Sequence, residues 1–81
     1  MPKLKVLSGE DIITVFKKFD FEIAGQKGSH VKLTRLLQDA SVQSLTIPNH
    51  KEIDRGTLKA ILRQSSKYIP ESELRKYFYT E

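Results

Sequence analysis

The chain has no cysteine and no long hydrophobic run. Without cysteine it has neither a disulfide framework nor a thiolate metal site. Its longest apolar runs are two or three residues, whereas a membrane-spanning helix needs about 20. The basic N-terminal residues are not followed by the apolar segment of a signal peptide. We therefore expect a soluble, cytoplasmic protein that has no membrane partner.

The length of 81 residues suits one compact domain, predicted over residues 1–81. A chain this short buries little more than about 60% of its unfolded surface, so its core is thin. A bound partner can therefore add substantially to its stability.

Basic residues outnumber acidic ones by 14 to 10, and the excess is concentrated in the middle of the chain. Residues 24–67 hold eight lysines and arginines, including Arg35, against three acidic residues. A local surplus of positive charge favours a polyanionic partner such as nucleic acid, although many basic domains bind none.

Hydrophobic periodicity predicts six elements. Ser8 caps the first helix and Asp11 completes a capping box. Beyond it, Phe19 to Ile23 alternate between apolar and polar residues as a strand does. The residues from Leu36 to Gln43 are expected to form a longer turn, and Pro48 to end the third strand. The predicted elements are a helix at about 9–18, strands at about 19–25, 30–36 and 44–47, and helices at about 55–66 and 70–79.

This order predicts an α+β fold of two layers, with helices on one face of a three-stranded antiparallel sheet. Val31 and Leu33 should point into the core. His30 and Lys32 should then lie on the opposite, open face. The α-β-β-β-α order is that of the double-stranded-RNA-binding fold, here with an extra short C-terminal helix, but element order alone does not establish function.

Three ordered motifs are similar to those of the HicA family of mRNA interferase toxins. They are Gln26-Lys27-Gly28-Ser29-His30, then Ile47-Pro48-Asn49-His50, then the segment from Arg55 to Gln64, RGTLKAILRQ. The resemblance covers roughly residues 7–66. It implies a double-stranded-RNA-binding-like fold, an endoribonuclease that cleaves mRNA, and inhibition by a HicB-like antitoxin. The tail from Ser66 departs from the family pattern, which leaves its role open.

The resemblance implies that His30 is the catalytic residue. RNA carries its own nucleophile, the 2′-hydroxyl, so cleavage requires neither a metal nor a cofactor. A histidine with a pKa near its ordinary value of about 6.5 can exchange a proton at neutral pH. Lys27 and Lys32 can stabilise charge on the phosphate. Gly28 permits close backbone approach, and Ser29 offers a hydroxyl and an N–H.

His50 has two interpretations. It follows Pro48 in a loop that can bring it near His30, as an acid–base partner or a phosphate contact. It can equally be a loop histidine that hydrogen-bonds the backbone.

A basic stripe runs along the second helix, because Arg55, Lys59, Arg63 and Lys67 recur every four residues. Such a stripe is either a solvated helix face or a surface for RNA phosphates, with Arg55, Lys59 and Arg63 as the contacts.

Two other functions fit the same residues. One is a non-catalytic RNA-binding module of the same fold, which binds RNA without cleaving it. The other is an interaction subunit whose basic face meets an acidic protein. In the tail, Leu74, Tyr77 and Phe78 are expected to pack on the body, or alternatively to dock the antitoxin.

Overall fold

The computed structural model describes residues 3–80, which form three helices and five strands. In chain order the elements are β1 (Lys3–Leu4), α1 (Gly9–Lys17), β2 (Glu22–Lys27), β3 (His30–Leu36), β4 (Val42–Pro48), α2 (Arg55–Ser65), α3 (Glu71–Phe78) and β5 (Tyr79–Thr80). The first two residues and the last of the predicted domain lie outside the described part of the chain.

Strands β2, β3 and β4 form an antiparallel sheet in that order. One face of the sheet is buried, because Val31, Leu33, Leu45 and Ile47 are at most 2% exposed and belong to the core that the helices share. The α+β fold of the double-stranded-RNA-binding type, with a three-stranded antiparallel sheet, is confirmed.

Helix α1 begins where the capping residues predict. The backbone N–H of Asp11 donates to Ser8 Oγ, and the Ser8 N–H donates to Asp11 Oδ2, both at 3.0 Å. This reciprocal pair satisfies two backbone donors that a helix start leaves free.

The start of the first strand of the sheet was predicted wrongly, because Phe19 and Asp20 close α1 instead. Asp20 has a left-handed φ of 71°. The Phe21 N–H donates to Phe16 O at 3.1 Å and the Asp20 N–H to Lys17 O at 3.2 Å, which is a Schellman motif. The rings of Phe16 and Phe21 pack edge to face at 5.8 Å. The alternation therefore belongs partly to a helix end, and β2 extends from Glu22 to Lys27 rather than over 19–25.

Strand β2 is an exposed edge strand with an irregular register. The pairing with β3 shifts between Ile23 and Gly25, as it does at a β-bulge. The alternation would bury Ile23 on the same face as Phe21. Phe21 is buried, but Ile23 is 51% exposed. Bulged edges discourage pairing with another strand.

The β3–β4 turn is tighter than predicted. Leu37 N–H donates to Ser41 O at 2.9 Å, so only residues 37–41 lie between the strands. Asp39 Oδ1 accepts from the Ser41 N–H at 3.0 Å and from its hydroxyl at 2.6 Å. Ala40 takes a left-handed φ of 71°. Strand β4 consequently extends from Val42 to Pro48 rather than over 44–47.

The C-terminal segment packs on the body of the protein. Leu74 and Phe78 are 0% exposed, and the rings of Phe78 and Phe16 lie 6.1 Å apart. Burial makes these two side chains unavailable for docking an antitoxin. Pro70 is the N-cap of α3, so this helix begins at Glu71, one residue later than predicted.

A two-stranded ribbon joins the two ends of the described chain, and it was not predicted. Lys3 pairs with Thr80 and Leu4 with Tyr79. The Lys5 N–H donates to Phe78 O at 2.8 Å, and Thr80 Oγ1 donates to Lys3 O at 3.3 Å. The ribbon replaces the last residue of the helix predicted at 70–79.

Arg35 is a structural residue on the inner side of the sheet. Its guanidinium donates to Gln43 Oε1 at 2.6 and 2.9 Å, to Phe19 O at 3.1 Å and to Tyr68 O at 3.1 Å. It also lies 4.9 Å from the centroid of the Phe21 ring. The charge of Arg35 therefore ties the sheet to the helical layer, and this member of the basic surplus is half-buried rather than fully exposed.

Candidate active site

The β2–β3 turn places Lys27 and His30 opposite each other. They are partners in the strand register, and only Gly28 and Ser29 lie between them. Gly28 has a φ of 60°, a backbone conformation that glycine adopts without steric cost. The Gln26 side-chain amide donates to Gly28 O at 2.9 Å and braces the turn. Paired residues of antiparallel strands point to the same face, so Lys27 and His30 share one surface.

That surface is the open face of the sheet, which we define by Gly25, Lys27, His30 and Lys32. All four residues are exposed. Lys32 lies two residues beyond His30 on the same strand and pairs with Gly25, which has no side chain and no atom within 4 Å of its would-be β-carbon. The open face therefore combines an imidazole with two ammonium groups in front of unobstructed space.

The segment after β4 is held against the same turn. His30 pairs with Pro48, and the Asn49 N–H donates to Ser29 O at 2.6 Å. The two histidine-bearing motifs therefore meet at one end of the sheet, although they are far apart in sequence.

His50 lies in this segment and is exposed. Its N–H donates to Pro48 O at 3.0 Å, and its carbonyl accepts from the Gly9 N–H at 2.8 Å. His50 thus sits beside the N-terminus of α1. Within residues 3–80 no hydrogen bond links the two imidazoles, and the role of His50 in acid–base chemistry stays a prediction.

Gly9 positions this segment, and sequence reasoning missed it. A β-carbon on Gly9 would lie 2.5 Å from both Asn49 Cα and Pro48 O. Only glycine lets the start of α1 approach the chain so closely. The sequence feature that could have indicated this close approach is a glycine at the first position of a helix with strong capping residues.

Arg55, Lys59 and Arg63 are exposed on α2, in the helical layer rather than on the open face. Lys67 lies beyond the end of the helix, which was predicted one residue too long. The structure therefore brings together Lys27, Gly28, Ser29, His30 and Lys32. It places the three arginine and lysine residues of α2 on a separate surface, connected through residues 49–54.

Asp54 fixes the start of α2. Its carboxylate accepts from the Thr57 hydroxyl at 2.7 Å and from the Thr57 N–H at 3.1 Å. These two hydrogen bonds lower the pKa of Asp54 below its ordinary value, and the one from the Thr57 hydroxyl has the larger effect. Arg55 is thereby held at the first turn of the helix, where the free N–H groups add positive potential.

The family model for the HicA toxin of bacterial toxin–antitoxin systems matches residues 9–66. That match covers most of the chain. The chain belongs to the HicA toxin family. No curated protein and no solved structure gave a significant match.

The HicA match contains every candidate site residue, from Lys27 to Arg63. The match does not include β1, α3 or β5, so these three elements lie outside the part of the chain that resembles the family. Membership of a toxin–antitoxin family indicates an antitoxin as a partner.

Among residues 3–80, no three histidine or acidic side chains cluster as a metal site. None of the helices described is both long and apolar enough to cross a membrane.

Proposed function

We propose that this HicA-family toxin is an endoribonuclease that cleaves mRNA by a metal-independent mechanism in which His30 transfers a proton. The observation that carries the proposal is the register pairing of His30 with Lys27 on the open face, with Lys32 beside them. The family match supports a toxin, and the residue chemistry supports RNA as the target.

The chemistry is an internal transesterification. The 2′-oxygen attacks the adjacent phosphorus, a P–O2′ bond forms and the P–O5′ bond breaks. His30 takes the proton of the 2′-hydroxyl or gives one to the departing 5′-oxygen, and solvent water carries out the other proton transfer. Lys27 and Lys32 stabilise the negative charge that develops on the phosphate oxygens. The products are a 2′,3′-cyclic phosphate and a 5′-hydroxyl.

The test uses a long RNA in excess EDTA, incubated with the wild type, His30→Ala and His50→Ala. We expect the wild type to cleave and His30→Ala to lose cleavage. Analysis of the product ends should show a cyclic phosphate. Ends with a 3′-hydroxyl and a 5′-phosphate would contradict the proposal, because they arise by hydrolysis without participation of the 2′-hydroxyl. If His50→Ala cleaves RNA at the wild-type rate, His50 takes no part in the mechanism.

We further propose that a HicB-like antitoxin inhibits this protein by covering the open face. The support is the exposure of His30, Lys27 and Lys32, which only a partner can shield from RNA. A HicB-like antitoxin that binds this protein, added in equimolar amount, should stop cleavage and protect His30 from modification by diethyl pyrocarbonate.

One observation favours the alternative of a non-catalytic RNA-binding module. Within the described residues, no side chain hydrogen-bonds to the His30 ring, whereas a catalytic base is commonly oriented by a third group. This alternative predicts equal RNA binding by the wild type and His30→Ala, with cleavage by neither.

A further inference from the structure

A basic groove lies between the ribbon and the start of α2, away from the open face. It has a volume of about 640 Å³ and is lined by residues of β1, β5, α2 and the loop before α2. Its cationic side chains are Lys3, Lys5, Arg55 and Lys59. Two of these four come from the N-terminal segment, outside the part of the chain that matches the family.

The positive charge of this groove is only partly balanced by acidic side chains. Two carboxylates line it, Glu52 and Asp54, and that of Asp54 already caps α2 through Thr57. The ion pairs found within residues 3–80 are both in α3. A concave surface with four cations and few anions raises the local concentration of a polyanion.

The groove continues along α2. A second depression of about 230 Å³ shares Lys59 and Tyr79 with it and adds Arg63 and the acidic Glu71, whose carboxylate lies 4.0 Å from the Arg75 guanidinium. The ribbon therefore turns the row of cations on one helix into a two-sided channel. An isolated solvated helix face would lack the opposite wall that Lys3 and Lys5 provide.

The groove is also linked to the candidate active site. Pro48 pairs with His30, and the loop that follows it leads to Asp54 at the groove. This loop carries His50 and Lys51, both exposed. Asp54 at the groove therefore lies six positions along the chain from Pro48, which is beside His30.

We propose that the groove between the β1–β5 ribbon and α2 binds the phosphate backbone of the RNA strand beyond the point of cleavage, with Lys3 and Lys5 opposing Arg55 and Lys59. The identification of RNA as the ligand of this groove rests on the proposed ribonuclease function. Phosphate contacts of this kind carry no sequence information, so the groove contributes affinity and register rather than specificity.

The experiment measures binding of fully 2′-O-methylated RNA, which has no free 2′-hydroxyl and is not cleaved. Oligonucleotides of about 4 and about 16 nucleotides span the site sizes of single-strand-binding domains. The affinity of the full chain is followed against salt concentration for the wild type and for Lys3→Gln/Lys5→Gln. The control is Lys17→Gln/Lys76→Gln, which removes the same charge from exposed positions outside the groove and outside the basic stripe.

For the longer RNA we expect the slope of log K against log salt to fall by about 1.4 in Lys3→Gln/Lys5→Gln, since each lost phosphate contact in a single strand removes about 0.7. Arg55→Gln/Lys59→Gln should change the slope similarly, and the control should not. The 4-nucleotide RNA should show no difference. An unchanged slope in the ribbon variant, or an equal fall in the control, would overturn the proposal.

Two additional measurements separate the possible failures. If the ribbon variant still cleaves RNA like the wild type but its slope is unchanged, the groove proposal fails and the ribonuclease stands. If the wild type cleaves nothing yet binds RNA in a groove-dependent way, the groove stands and the catalytic proposal fails. Binding to poly-glutamate that the ribbon substitutions abolish, with RNA binding intact, would overturn the proposal and assign the groove to an acidic protein.

The ribbon substitutions should leave the fold intact. The hydrogen bonds of the ribbon run through the backbone N–H of Lys5 and the carbonyl of Lys3. Circular dichroism and the thermal midpoint of each variant verify this before binding is compared.

Discussion

The first residue of α1, Gly9, lies in direct backbone contact with Asn49, and a β-carbon on Gly9 would approach Asn49 Cα to 2.5 Å. Through this contact the start of the first helix supports the loop that carries His50 and that bonds to Ser29, next to His30. The arrangement of the candidate site therefore depends on a residue that takes no part in its chemistry.

Gly9→Ala should destabilise the protein by about 1–3 kcal/mol, the usual cost of forcing extra volume into a packed contact. Urea unfolding measures the change. Gly56→Ala is the matched control in the first turn of α2, where the nearest atom to the new β-carbon is the Asp54 side chain at 3.4 Å. Alanine is favoured over glycine in a helix, so this control should be neutral or slightly stabilising. Equal destabilisation by both would contradict the steric argument.

Gly28→Ala should cost about 1–2 kcal/mol, because alanine would have to take the left-handed conformation with φ near 60°. Gly28→Asn should cost less, since asparagine tolerates that conformation. No atom lies within 4 Å of the position of a Gly28 β-carbon, so crowding does not contribute. Thermal unfolding of the two variants tests the difference, and an equal loss in both would show that something other than backbone strain is responsible.

Arg35 and Lys32 lie on opposite faces of β3 and should separate stability from activity. Arg35→Lys should destabilise by about 1.5–3 kcal/mol, because lysine cannot make the forked hydrogen bonds to Gln43 and to two carbonyls.

Lys32→Ala, in contrast, should change the free energy of unfolding by no more than about 0.5 kcal/mol. If Lys32 stabilises the phosphate, its loss should lower cleavage by about 10²-fold. Chemical denaturation and RNA cleavage are measured on both variants. A Lys32→Ala protein that unfolds easily, or cleaves at the wild-type rate, would contradict this division.

Asp54 should make stability depend on pH in the acid range. Its pKa in the folded protein is lowered, chiefly by the hydrogen bond from the Thr57 hydroxyl and then by the Thr57 N–H. The stabilisation is therefore fully present above the unfolded pKa of about 3.9 and is lost as the pH falls through the folded value.

The measurement is the urea midpoint of the wild type and of Asp54→Asn between about pH 5 and pH 2. Asparagine caps a helix about as well but does not titrate in this range. The wild type should lose more stability on acidification than Asp54→Asn. Identical acid slopes would show that Asp54 does not contribute.

Most helix starts and the buried faces of two strands could be predicted from the sequence. Ser8 and Asp54 are recognisable caps because their partners are three residues away in the chain. The burial of Val31 and Leu33 follows from the alternation of a strand with one covered face. The placement of His30 and Lys32 on one face could be foreseen for the same reason. Lys27 was expected in a turn after a strand that ends near residue 25, whereas β2 continues to Lys27 and pairs it with His30.

The errors occurred where local patterns are ambiguous. The run from Phe19 to Ile23 alternates like a strand, yet Phe19 and Asp20 complete a helix end whose hydrogen bonds return to Phe16 and Lys17. The turn from Leu37 to Ser41 is short because Asp39 hydrogen-bonds to Ser41, although its composition resembles a longer loop.

The sequence by itself determined the class of fold, the family, and the presence of His30 and Lys32 on one strand face, because each depends on neighbours within a few residues or on ordered motifs. Only the tertiary structure decided that Gly9 abuts Asn49, that Arg35 turns inward, and that Lys3 pairs with Thr80. These contacts join residues distant in the chain, and they form because the shared core brings those segments together, which no short-range pattern encodes.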